Sequence, residues 1–211
     1  MTTTKTRRVR IVVDQNPPDP REWDNQGRMA CWHSRYNLGD EQPENITPAE
    51  WLRELEGDPV VLPLFLIDHS GLSMSTRPFS CPWDSGQVGY IVCTLDNARK
   101  CFMQPEDATW DTPVGTEITD DPADNKKITL REATENNLRQ EVETYDQHLC
   151  GDIYGFIVEE SEKCEACGHT EWDHVDSCWG FYGSDPRTNG MADHLGDEEL
   201  IQMACDAEVE Y

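Results

Sequence analysis

Residues 129–158 read TLREATENNLRQEVETYDQHLCGDIYGFIV, and this stretch decides the fold class. Thr129 stands three residues before Glu132, the pattern of a capping box at a helix start. Leu130, Ala133, Leu138, Val142, Tyr145 and Leu149 then recur at helical spacing, which predicts one buried face. Gly151 ends the helix, because a glycine just past the last turn accepts the left-handed backbone that closes it. Ile153 to Val158 follows at once as a run of strand formers. A long amphipathic helix that runs straight into a strand makes this an α+β chain.

Upstream, Thr47, Pro48 and Glu50 predict a second capped helix that ends at Gly57, with Trp51, Leu52 and Leu55 on its apolar stripe. Lys5 to Asp14 alternates basic and apolar residues and reads as a strand, placed at an edge where its arginines stay wet. Pro17, Pro18 and Pro20 end it. Met29 to Tyr36, Val60 to Asp68 and Val88 to Cys93 are further strands. Downstream, Ile153 to Val158 and Val175 to Tyr182 flank a cysteine-containing insert, and a short acidic helix lies between Glu198 and Ala207. The expected architecture is a single domain over residues 1–211. It has a mainly antiparallel sheet, two principal helices, a zinc-knuckle hairpin insert at 159–178 and an acidic surface loop at 106–126.

The formal charge is −25. Residues 1–100 hold 11 Lys+Arg against 14 Asp+Glu, a net of −3, and residues 101–211 hold 6 against 28, a net of −22. Such a field repels nucleic acid and anionic membranes and attracts basic surfaces. A surface that is merely soluble, or adapted to high salt, accounts for the same composition. No run of about 18 apolar residues occurs, and Met1 to Arg10 is polar and basic, so the chain reads as neither spanning nor exported. The cytoplasm of the host cell is its expected place.

Nine cysteines are present. Cys164, Cys167 and Cys178 cluster, and the other six, Cys31, Cys81, Cys93, Cys101, Cys150 and Cys205, read as reduced and mostly buried thiols. Cys164-Glu165-Ala166-Cys167-Gly168-His169 has the form of a zinc knuckle, in which a glycine turn lets backbone amides face the thiolates. Cys164, Cys167, His174 and Cys178 form the expected ligand set for one structural zinc, with His169 as the substitute should Cys178 belong to the following strand.

A second cluster brings His69, Cys81 and Asp84 into one loop region with Asp68 and several serines. These residue types serve nucleophilic catalysis. The competing reading is a polar loop folded over the core with Trp83 as its anchor. No phosphate-binding loop, dinucleotide fingerprint or H-E-x-x-H motif occurs.

The strings DPREWD (19–24), DHSGLSMST (68–76), CPWDSGQVG (81–89), EVETYDQ (141–147), GDIYGFIV (151–158) and DSCWGFYG (176–183) together resemble a family of hypothetical proteins carried by tailed phages and other mobile elements. The resemblance implies a setting, a gene product acting inside a prokaryotic host, and brings no functional residue with it. By analogy, small acidic proteins of such genomes inhibit host nucleases or mimic DNA. The expected function is therefore binding to a basic, nucleic-acid-handling host protein. Its surface would be Asp120, Asp121 and Asp124, then Glu132, Glu135, Glu143 and Asp146, then Asp197, Glu198 and Glu199. The alternatives are an enzyme built on His69, Cys81 and Asp84, and a structural or virion-associated accessory protein.

Overall fold

The computed structural model describes residues 5–117, 126–163 and 170–211. They fall into two compact units, one drawn from residues up to Asp19 and from Gln147 onward, the other from Pro20 to Asp146.

The first unit is built on β1 (Thr6–Val13), β8 (Ile153–Lys163), β9 (Thr170–Tyr182) and β10 (Val209–Glu210), in the order β10-β1-β8-β9. β8 is central, antiparallel to both β1 and β9. Its Phe156 is 1% exposed and stacks on Phe181 of β9 at 5.8 Å between ring centroids. Val9, Ile11 and Val158 join them under two helices, α4 (Met191–Leu195) and α5 (Glu198–Asp206). β1 is an edge only in its first half. There Arg7 and Lys5 meet Glu160 at 2.8 and 3.2 Å, and Arg8 meets Glu159 at 2.7 Å. At Ile11 and Val12 the edge is closed by β10, which runs parallel and makes this sheet mixed. Of the hairpin insert expected at 159–178, residues 164–169 lie outside the described residues. Glu159–Lys163 and Thr170–His174 pair with one another as the continuing arms of the β8–β9 hairpin.

The second unit holds β2 (Arg28–Cys31), β3 (Val60–Asp68), β4 (Leu72–Ser75) and β5 (Ser85–Cys93), all antiparallel in the order β2-β5-β3-β4. Val60, Leu62, Leu64 and Leu66 are buried in strict alternation, as a strand with one buried face requires. Pro63 is tolerated because β4 pairs only with Phe65–Asp68, so no neighbour on that side asks for the missing N–H. Gly89 sits where β2 and β5 approach most closely, and a Cβ there would lie 2.2 Å from the Ala30 carbonyl oxygen. The capped helix α1 (Pro48–Glu54) lays Trp51 against Ala30 and Val92, and its Thr47–Glu50 capping box is formed. The long helix α3 (Leu130–Cys150) buries Leu130, Thr134, Leu138, Val142 and Tyr145. Thr129 and Glu132 cap it reciprocally.

Three expectations are corrected. The described residues contain five α-helices, where two principal ones and a short acidic one were expected. α2 (Leu95–Cys101) was invisible because only Ala98 of its seven residues is buried, too few to set a period. The loop expected at 106–126 contains β6 (Pro113–Glu117), which pairs with β7 (Lys126–Thr129). The cysteines outside the knuckle are not mostly buried: Cys31 and Cys93 are, Cys81 is intermediate, and Cys101, Cys150 and Cys205 are exposed. Burial pushes the Cys31 and Cys93 thiols up to about 12, so both are inert packing groups.

Candidate functional site

Helix α3 presents two polar stripes beside its buried one. Glu132, Glu135, Arg139, Glu143 and Asp146 follow one another at three or four residues and therefore share a stripe. Four of the expected partner-binding acids are thus brought together, but most of them already serve the fold. Glu132 bonds Lys126, accepts from the Thr129 N–H and is held at about 2 by these bonds, the lysine foremost. Glu135 meets Arg139 at 3.5 Å. Asp146 accepts the Met74 N–H at 2.6 Å, which ties the helix to β4. Glu143, which is exposed, has no such bond among the described residues. Asp197 caps α5, and Glu198 pairs with Arg187 at 2.8 Å, with Glu199 beside them in the first turn. Asp120, Asp121 and Asp124 lie outside the described residues.

The other stripe, Asn137, Gln140, Glu141 and Thr144, faces the loop that carries Pro20, Trp23 and Gln26, and a cleft of about 320 Å³ lies between them. A buried ion network fixes this wall. Arg21, whose side chain is 4% exposed, bonds Asp40 at 2.7 and 2.8 Å, Glu141 at 3.0 Å and the Gly27 carbonyl at 2.7 Å. Burial opposes its charge, and the two carboxylates more than offset that, so its pKa is raised. Glu141 in turn accepts the N–H groups of Gln26 at 2.8 Å and Gly27 at 3.1 Å. Arg21 belongs to DPREWD and Glu141 to EVETYDQ. Neither string had been given a role in the sequence, because nothing local tells which of the many carboxylates an arginine will meet.

His69, Cys81 and Asp84 do come together. His69 Nδ1 lies 3.0 Å from Asp84 Oδ2, and the Cys81 thiol lies 3.7 Å from the same oxygen. The carboxylate stands between thiol and imidazole, whereas nucleophile activation needs the imidazole in the middle. His69 is exposed, and Trp83 at 91% exposure anchors nothing, which corrects that expectation. The neighbouring Asp68 is held by Arg35 at 3.1 Å and the Tyr36 hydroxyl at 3.0 Å.

Cys164, Cys167 and His169 lie outside the described residues. His174 and Cys178 both sit on β9, opposite Glu159 and Phe156. His174 is exposed and bonds Ser177 Oγ at 3.1 Å, while Cys178 packs against the core of its unit. The register of β9 shifts beside His174, where Val175 is left without a partner on β8. Among the described residues no group of three or more His, Cys, Asp and Glu side chains is placed to hold a metal ion.

The chain matches no family model, no curated protein and no solved structure. No helix among the described residues is long and apolar enough to cross a membrane. The surface charge is set by what remains after internal pairing. Among the described residues, ten of the twelve arginines and the lysines Lys5 and Lys126 meet carboxylates of this chain. The carboxylates left over outnumber the cations left over by the full net charge.

Proposed function

We propose that this protein is a binding factor of a phage or mobile element that acts on a basic, nucleic-acid-handling host protein, as an inhibitor or DNA mimic, through its acidic surface. The observation that carries this reading is that twelve of the seventeen Lys and Arg side chains pair with carboxylates of this chain among the described residues, while 42 acids face those 17 cations, so most carboxylates have no cation of their own. The α3 stripe contributes part of that surface. Glu132 to Glu135 and Glu143 to Asp146 each rise about 4.5 Å, with Arg139 between the pairs, so one helix does not reproduce the regular phosphate series of DNA and further elements must supply the rest.

The test is retention of host protein on the immobilised chain under a salt gradient, with duplex DNA as competitor. Capture weakens steeply between low and high salt, and DNA displaces it. Glu143→Lys is the clean variant, because Glu143 holds no structural bond among the described residues, and it slows association several-fold while the thermal midpoint stays put. Asp146 is unsuitable, since reversing it also breaks the bond to Met74. Capture indifferent to salt and to DNA leaves the charge explained by solubility alone.

Zinc is part of the same proposal, carried by the spacing of Cys164 and Cys167. His174 and Cys178 are the candidates to complete the site, with His169 as the substitute for Cys178. Elemental analysis of the purified protein gives about one zinc per chain, lost on Cys164→Ser or Cys167→Ser. Metal-free protein from zinc-supplemented cells ends this proposal.

A further inference from the structure

Strand β5 carries two glycines, and the fold explains only one of them. At Gly89 the β2 backbone closes in, so a Cβ would lie 2.2 Å from the Ala30 carbonyl oxygen. Gly86 has neither a left-handed backbone nor a crowded one: it is exposed, and a Cβ there would meet nothing within 4 Å among the described residues. The register shift of β5 falls at Val88, so no bulge asks for Gly86 either. A strand glycine of this kind marks a place where another backbone or a ligand can approach closely. The ladder shows from which side. The Asp68 N–H bonds the Asp84 carbonyl at 2.9 Å, and Gly86 stands opposite Leu66 two residues along, so the N–H and C=O groups of Ser85 and Gln87 turn away from β3. On that side β2 pairs with Gly89–Val92 and reaches no further than Val88, whose carbonyl accepts the Trp32 N–H at 2.7 Å.

Two recesses of about 470 and 320 Å³ flank this edge, and Trp32, Gln87 and Val88 line both. The first extends to Gly86 and Leu66, on the face that carries Leu62 and Leu64. The second extends to Tyr90, which packs with α1 on the other face. An extended chain laid along the edge sends successive side chains to opposite faces, and so into both recesses. At one end Trp83 stands 91% exposed. Bonds on either side hold it there, from Ser85 Oγ to the Cys81 carbonyl and between Asp84 and His69.

We infer that the edge of β5 at Ser85–Gln87 receives an extended segment of a basic partner, paired there as an added strand and anchored against Trp83. Charge selects the occupant. The chain carries −25, and the rim of the first recess holds Asp68 and Asp84 against Arg35, which is itself bonded to Asp68 at 3.1 Å. That recess takes a cationic side chain, and the one bounded by Tyr90 and Pro48 takes an apolar one. A second copy of this chain fits less well, because both copies carry the same large negative charge. The inference rests on the proposed function for the identity of the partner, but the edge can be tested without one.

The probe is the acetylated and amidated pentapeptide Lys-Val-Arg-Val-Lys, titrated into the full-length protein labelled with ¹⁵N. The amides of Ser85 to Val88 and the Trp83 indole N–H shift saturably, while the acidic counterpart Glu-Val-Glu-Val-Glu leaves them in place. N-methylation separates strand pairing from charge attraction. A strand bonds its neighbour through alternate residues, so methylating the first, third and fifth amides, or the second and fourth, gives two probes of equal charge. One of them binds about tenfold more weakly than the other. Gly86→Leu fills the approach to the edge and abolishes the response with the thermal midpoint unchanged. Trp83→Ala, at a ring that is almost wholly exposed, weakens binding several-fold and carries the test should Gly86→Leu fail to fold. No saturable shift at β5, equal response to the basic and acidic peptides, equal affinity of the two methylated probes, or undiminished binding to Gly86→Leu overturns the assignment. Salt-sensitive capture of host protein without a response at β5 removes this site alone. A response at β5 with capture indifferent to salt and DNA sustains the site and removes the acidic-surface reading.

Discussion

Arg21→Met lowers the unfolding free energy by about 3 kcal/mol or more, read as an earlier urea midpoint with an unchanged slope. The substitution keeps much of the side-chain volume, so the loss is electrostatic. It leaves Asp40 and Glu141, whose side chains are 24% and 14% exposed, without the guanidinium they share. The Gly27 carbonyl loses its donor as well. Arg21→Lys restores the charge but not the fork, since one ammonium cannot reproduce two bonds to Asp40 together with bonds to Glu141 and Gly27, and it recovers less than half of the loss. A midpoint within error of the parent protein shows that the network is decoration.

Phe156→Ala costs about 3–5 kcal/mol in the unit built on β8. Phe156 sits in the central strand, opposite Ile11 on one side and Cys178 on the other, and is 1% exposed. Removing the ring opens a cavity and also deletes its stacking with Phe181, a contact of about 0.5–1.5 kcal/mol within that total. The loss appears as early unfolding by circular dichroism and as rapid amide exchange along β8. Phe156→Leu, which keeps an apolar filling, recovers most of it. Equal stability of the alanine variant contradicts the packing described for this sheet.

The readings that held are those whose physics is local. A capping box needs residues three apart, and both Thr47–Glu50 and Thr129–Glu132 are formed. The α5 helix begins within its expected range because Asp197 caps it and Ile201 and Ala204 face inward. Gly151 ends α3 at a φ of +73°. Strand alternation is local too, and Val60 to Leu66 obeys it. Where the apolar signal was thin, as in α2, or carried by Pro113 to Glu117 in a polar stretch, the element was missed, since pairing across β6 and β7 rather than pattern makes the strand.

The chain by itself therefore determined the α+β class, the two capped helices, the acid excess and the candidate zinc cysteines, all of which depend on residue type and near spacing. Tertiary structure alone decided which carboxylates are spent and which remain. Arg21 meets Glu141 across 120 positions, and Asp146 meets Met74 across 72. It also decided that Cys178 belongs to a packed strand and that Gln26 is buried with an unmet acceptor. With 42 acidic side chains available to 17 cations, composition cannot choose partners. The return path of the backbone chooses them, because an ion pair or a buried hydrogen bond forms only where packing has already brought the two groups within about 3 Å.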